Sequence, residues 1–201
     1  RRIMCISEIQ NRRSIRKYQS EPVTKEIINR ILEAARLAPS GTNKQPWQFI
    51  VYNGAAKKEL VARMAQGLQR ECQGQPVLPN SSWGIPDAKN TLRIMEEAPT
   101  IIMLLNTCGK SIFTPLTIDE RVTEIVDSLS IGAAVENLLL QAEREGIGAL
   151  WIANTCFAYP ELVDYIGTSH QLAGAIAIGY KGENPPPRPR KPLTEIVSYR
   201  E

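Results

Sequence analysis

The segment IDERVTEIVDSLSIGAAVENLLLQAER, residues 118–144, constrains this chain more than any other. Ile125, Leu129, Gly132, Ala133, Val135, Leu138, Leu139, Leu140 and Ala142 cover most of the circumference of one long helix. A helix apolar on nearly all sides must be central and buried. It also carries more apolar surface than one core of 201 residues readily covers. A second copy packed helix against helix would cover the remainder, so a homodimer is expected.

The other elements are arranged around that helix. Ile27, Ile28, Ile31, Leu32 and Ala35 recur at helical spacing, with Thr24 as N-cap and Pro39 beyond the far end. QPWQFIVYN reads as a strand, and residues 55–72 as a helix. Residues 73–86, rich in Pro, Gly, Asn and Ser, read as a mobile loop. A helix over residues 87–97 leads into TIIMLLN, an uninterrupted apolar strand of the kind covered on both faces. After the long helix, Gly146 and Gly148 read as stop signals. The strand ALWIAN, a short helix over residues 160–166 and the strand LAGAIAIGY follow. Five of the eight residues from 185 to 192 are proline, so the tail is extended until a strand-like TEIVSY. That β-prone run needs a partner strand. Alternation of helices and strands, with no linker of biased composition and no repeat, predicts one α+β domain over residues 1–201.

Composition removes several functions. The net charge is +3, from 24 basic and 21 acidic residues, which does not suit a nucleic-acid-binding surface. Cys5, Cys72, Cys108 and Cys156 lack metal-ligand spacing, and His170 is the only histidine, so no metal site is expected. The thiols read as reduced and the location as cytoplasmic. No run near the start resembles a secretory signal or a membrane span. Arg1, Arg2 and Ile3 precede Met4, the expected natural start.

Two basic knots stand out. RRSIR places Arg12, Arg13 and Arg16 around Ser14, and RPRK places Arg188 and Arg190 in the proline-rich tail. One reading of the first is a solvated helix end, where cations are favoured. The other is an anion site, since guanidinium forks and a hydroxyl suit a phosphate. Prolines limit the entropy lost when the second knot is ordered, so both could close on one phosphate. PSGTNKQPW reads as a helix-to-strand turn, or as a loop whose Ser40, Thr42, Asn43 and Gln45 address a planar polar heterocycle. GIGALWIAN is not a G-x-G-x-x-G fingerprint, and neither a G-x-S-x-G elbow nor a phosphate-loop lysine motif occurs. His170 has no nucleophile beside it, and the neighbours Asp119-Glu120 and Glu96-Glu97 point apart on their helices. No side-chain set carries a reaction, so no catalytic residue is assigned and a cofactor is the expected bearer of the chemistry.

In order along the chain, NRRSIRKY, ILEAARLAPSGTNKQPWQFIVY, VDSLSIGAAVENLLLQAEREGIGALWIAN, IAIGY and RPRKPLTEIV resemble the nitroreductase family of FMN-dependent oxidoreductases. The resemblance implies a mixed, mainly antiparallel sheet flanked by helices, in a homodimer whose C-terminal tail embraces the partner subunit. It implies that Arg12, Arg13, Ser14 and Arg16 clamp the FMN phosphate and ribityl chain, joined by Arg190 and Arg188. Pro39, Ser40, Gly41 and Asn43 would meet the flavin from the partner subunit. Trp151, Ile152, Ala153 and Asn154 would pass the ring near its N5. Ala153-Asn154 replaces a Glu-Gly of some members, so an acidic neighbour is missing there. Arg16, or the partner's Lys44, would stabilise negative charge on the reduced ring.

The activity implied is ping-pong transfer of hydride from NAD(P)H to an electron-poor small molecule such as a nitroaromatic or a quinone. Flavin cleavage, azoline oxidation and dehalogenation are alternative chemistries of such a scaffold, although the Glu, Tyr and Lys lid of the deiodinase branch is absent. A non-catalytic FMN carrier or sensor is a further alternative.

Overall fold

The computed structural model describes residues 5–201. Met4, the expected natural start, lies outside the described residues, as do Arg1, Arg2 and Ile3.

Four strands form one sheet: β1 (Trp47–Asn53), β2 (Thr100–Asn106), β3 (Ile147–Ile152) and β4 (Gln171–Tyr180), in the order β1-β2-β4-β3. All three pairings are antiparallel. Helices cover both faces, and β2 shows why its sequence is continuously apolar. Successive side chains of a strand point to opposite faces. Ile101, Met103 and Leu105 enter a core with α3 (Gly54–Cys72), α4 (Ile85–Glu97) and α6 (Tyr159–Ile166). Ile102 and Leu104 enter a second core with α2 (Lys25–Arg36) and α5 (Ile118–Arg144). The result is the expected α+β architecture, a sheet between two helical layers.

The helix ends follow local chemistry. Thr24 caps α2, its hydroxyl accepting from Ile27 N at 3.4 Å. At the start of α5, Thr117 and Glu120 form a reciprocal capping box. Gly146, at φ 74°, ends α5 in the left-handed region that favours glycine.

Three local expectations are corrected. Residues 73–86 are not all loop, because Pro79–Gly84 form a short 3-10 helix and α4 already begins at Ile85. TEIVSY is not a strand: one helical turn, α7 (Leu193–Ile196), lies within it, and among the described residues it pairs with neither edge strand of the sheet, β1 or β3. Gly148 is not a stop signal, for a reason given below. As its excess of apolar surface implies, α5 is buried on one side only. Ile131, Ala134, Val135, Leu138 and Ala142 are in the core, whereas Ile118, Val122, Ile125 and Leu129 form an outward stripe 54–85% exposed. By length and composition α5 could cross a membrane. Here its core-facing side packs on α2 and the sheet instead. No other described helix meets that test.

Candidate functional site

The first basic knot lies on a strap. α1 (Ser7–Asn11) ends one residue before Arg12, and residues 12–18 then run along the sheet edge. Ser14 bridges Ala149 in parallel, and Ile15 N donates to Ala149 O at 3.1 Å. Gly182 N donates to Lys17 O at 2.9 Å, and Gln19 N to Tyr180 O at 3.0 Å. Ile15 is buried to 1% exposure. In an extended segment this sends Arg12, Ser14 and Arg16 to the face opposite Ile15. The Tyr18 hydroxyl locks the strap from beneath, donating to Ile15 O at 2.6 Å and to Ala177 O at 3.3 Å. Burial first, and then the charge of Glu183, push the Tyr18 phenol well above its ordinary range.

Glycines make room for this seating. A Cβ on Gly148 would lie 2.8 Å from Ile15 Cγ2, and one on Gly179 would lie 2.9 Å from Tyr18 Cδ1. Gly148 is therefore a packing glycine under the strap. Nothing local in its sequence shows this, because the atom it avoids belongs to a residue more than a hundred positions away.

Both knots converge on one cleft of about 770 Å³. The strap contributes Arg12, Arg13, Ser14 and Arg16, the tail contributes Arg188 and Arg190, and Asp87 and Asn90 come from the first turns of α4. Arg12 has a carboxylate at salt-bridge range, Glu136 at 3.5 Å. Among the described residues, Arg13, Arg16, Arg188 and Arg190 have none. Their donors turn to local carbonyls instead: Arg13 to Gln10 O and Arg12 O at 2.8 Å, Arg16 to Ser14 O at 3.2 Å. The cleft gathers more positive charge than its carboxylates offset, and an anion in it relieves the repulsion. The donor chemistry, planar forks plus a hydroxyl, fits a phosphate group.

At the end of β3, Trp151 is 56% exposed, Ile152 is buried, Ala153 is exposed and Asn154 is half-buried. The Asn154 amide donates to Asp87 Oδ2 at 2.7 Å and to Thr91 Oγ1 at 3.0 Å. Asp87 also lines the arginine cleft, so it links the two regions. Sequence reasoning missed it, since an acid in the first turn of a helix is ordinarily a dipole partner. Asp87 thus brings a carboxylate beside Asn154 from another element.

The loop carrying Pro39, Ser40, Gly41 and Asn43 does not line this cleft. It packs on α5 beside the exposed stripe. Gly41 N donates to Ser130 Oγ at 3.1 Å, and a Cβ on Gly41 would lie 2.5 Å from Val126 Cγ1. Thr42, Asn43 and Gln45 have φ of 53°, 57° and 52°. Such left-handed non-glycine residues persist only where their surroundings hold them. One restraint is an ion pair in which Lys44 Nζ meets the carboxylate of Asp127, 1% exposed, at 2.9 and 3.0 Å. The bond to Asp127 raises the Lys44 ammonium above its ordinary pKa. Lys44 is therefore held by Asp127.

A model of the nitroreductase family matches residues 9–180. A protein of Archaeoglobus fulgidus, named as an NADH dehydrogenase/NAD(P)H nitroreductase by assignment, is 32% identical over 148 residues, 74% of this chain and 66% of that protein. A Desulfovibrio desulfuricans protein assigned as a nitroreductase, solved in complex with FMN, is 27% identical with a TM-score of 0.70, covering 98% of this chain and 96% of that one. The FMN-dependent nitroreductase of Mycobacterium smegmatis, solved in complex with NADPH, shares the fold at 19% identity and a TM-score of 0.73, over 96% of each chain. The strap, the long core helix and the four-stranded sheet all lie within the matched span, and the chain belongs to the nitroreductase family.

Proposed function

We propose that this chain is an FMN-dependent NAD(P)H oxidoreductase, one FMN-binding domain acting on electron-poor small molecules such as nitroaromatics or quinones. The observation that carries this reading is the convergence of Arg12, Arg13, Arg16, Arg188 and Arg190 on one cleft, four of them without a carboxylate partner. Bound FMN would supply the two-electron chemistry, hydride transfer between NAD(P)H and the acceptor in alternate half-reactions. The protein binds and orients. Arg12, Ser14 and Arg16 grip the phosphate from the strap, and Arg188 and Arg190 grip it from the tail. Charge-assisted hydrogen bonds of this kind contribute roughly 1.5–3 kcal/mol each. Trp151, Ile152, Ala153 and Asn154 form the wall for the ring, with Asp87 fixing the amide of Asn154.

We assign the outward stripe of α5 to a homodimer, with the neighbouring Pro39, Ser40, Gly41 and Asn43 presented to the partner's flavin. The tail embraces the second chain and gives the β-prone TEIVSY its neighbour. An obligate interface of this type buries well above ~2,000 Å². Four free cysteines fit a cytoplasmic location.

The purified protein should show oxidised-flavin absorbance, release FMN on denaturation, and bleach under anaerobic NAD(P)H. A quinone or nitroaromatic should restore the colour. A protein that is colourless and does not bind added FMN would refute the reading. One that holds FMN yet is bleached by neither nicotinamide would be a carrier or sensor. Light scattering across dilution tests the dimer.

A further inference from the structure

The tail is tied to the body at its root. Lys181 Nζ donates to both oxygens of Glu143 at 2.8 Å, and Gly182 N donates to Lys17 O at 2.9 Å. Glu183 completes the stitch by accepting from the backbone N–H of Arg16 at 2.6 Å. Beyond that point the hydrogen bonds of the described tail stay within it. Arg190 donates to Arg188 O and Pro189 O at 3.3 and 3.2 Å, and Glu195 N and Val197 N return to Pro192 O and Leu193 O. Pro185, Pro186 and Pro187 fix φ along the span between root and arginines, so orientation set at Glu183 is passed to Arg188 and Arg190 with little slack.

Glu183 is thus a carboxylate placed where two groups of arginines meet. By charge alone it opposes any anion in the cleft. Its bond does something else: it fastens the middle of the first knot to the foot of the second. We propose that Glu183 is a positioning residue that sets the two arginine knots in register on one phosphate group. This rests on the reading that the cleft takes the phosphate of a flavin nucleotide. It adds that the register is held by a negative residue that need not touch the ligand.

Charge and joint predict opposite signs, which makes the test decisive. Apoprotein is titrated with FMN and with riboflavin, which lacks the phosphate, and bound flavin is followed by fluorescence quenching. If Glu183 is the joint, Glu183→Ala weakens FMN binding at least tenfold and leaves riboflavin within about twofold. Glu183→Gln keeps an oxygen that accepts from Arg16 N–H, so FMN affinity stays at or above wild type. Glu183→Ala binding FMN as tightly as wild type or more tightly overturns the proposal. So does an equal loss for FMN and riboflavin, or a loss in Glu183→Gln matching that in Glu183→Ala. Should Glu183→Ala fail to fold, the double variant Pro186→Gly/Pro187→Gly slackens the same span. A several-fold loss confined to FMN is then expected, and unchanged FMN binding overturns the idea. Wild-type protein that does not prefer FMN over riboflavin refutes the phosphate reading itself and the role of Glu183 with it. Wild type that prefers FMN while Glu183→Ala behaves identically refutes Glu183 alone.

Discussion

The two arginine knots have similar composition and face one cleft, yet the protein supports them in opposite ways. The strap is built into the core: Ile15 is buried, Tyr18 locks it from below, and Gly148 and Gly179 clear its path. The tail is held at residues 181–183, and every residue from 188 onward is exposed. On the proposed reading of the cleft, ligand binding and folding are therefore fused in one knot and separable in the other. A charged cluster can be positioned by packing or by a stiff tether, and only the first ties the site to global stability.

The largest expected effect strikes the packed side. Ile15→Ala should lower the unfolding free energy by about 2–5 kcal/mol, the range for truncating a buried aliphatic residue. Gly148→Val should cost about 1–3 kcal/mol through overpacking. Urea denaturation of the apoprotein measures both. Wild-type stability in either variant would mean that the strap is as detachable as the tail.

Next come the arginines themselves. Arg12→Ala and Arg190→Ala should each weaken FMN binding about ten- to a hundredfold, with riboflavin much less affected. Arg190→Ala should leave apoprotein stability unchanged, because the side chain bonds only to its own tail. A large loss of stability in Arg190→Ala would erase the contrast between the knots.

The smallest effect is a control far from both. Hydrogen bonding to Lys110 first, and then to the Thr117 backbone, lowers the exposed Glu120 carboxyl from 4.5 to about 2. Its folded pKa lies below the unfolded one, so its contribution is present above about 4.5 and lost as pH falls towards about 2. Chemical denaturation over that window should show the loss in wild type and a smaller one in Lys110→Ala. The difference should not depend on FMN.

Much of the fold was legible because apolar periodicity and caps are local signals. The long helix, the buried strand TIIMLLN and the Thr24 cap fall where the pattern puts them. Relations between distant residues were not legible. Gly148 answers to Ile15, and Asp87 reaches Asn154 across 67 positions. TEIVSY failed for a related reason, since β-propensity is realised only by pairing with an edge, and the tail is not laid against the open edge at β1. The knots were visible as compositional clusters, but their meeting in one cleft is a property of topology.

The prolines of the tail have a consequence for its survival. An extended, exposed segment with three cations in four residues would ordinarily invite cleavage by trypsin-like proteases. Here Arg188 precedes Pro189 and Lys191 precedes Pro192, and the peptide bond before proline resists such enzymes. In that stretch only the bond between Arg190 and Lys191 is left open. A phosphate held by Arg190 would cover it, so the nicking rate at this bond becomes a footprint of site occupancy that needs neither colour nor turnover to be read.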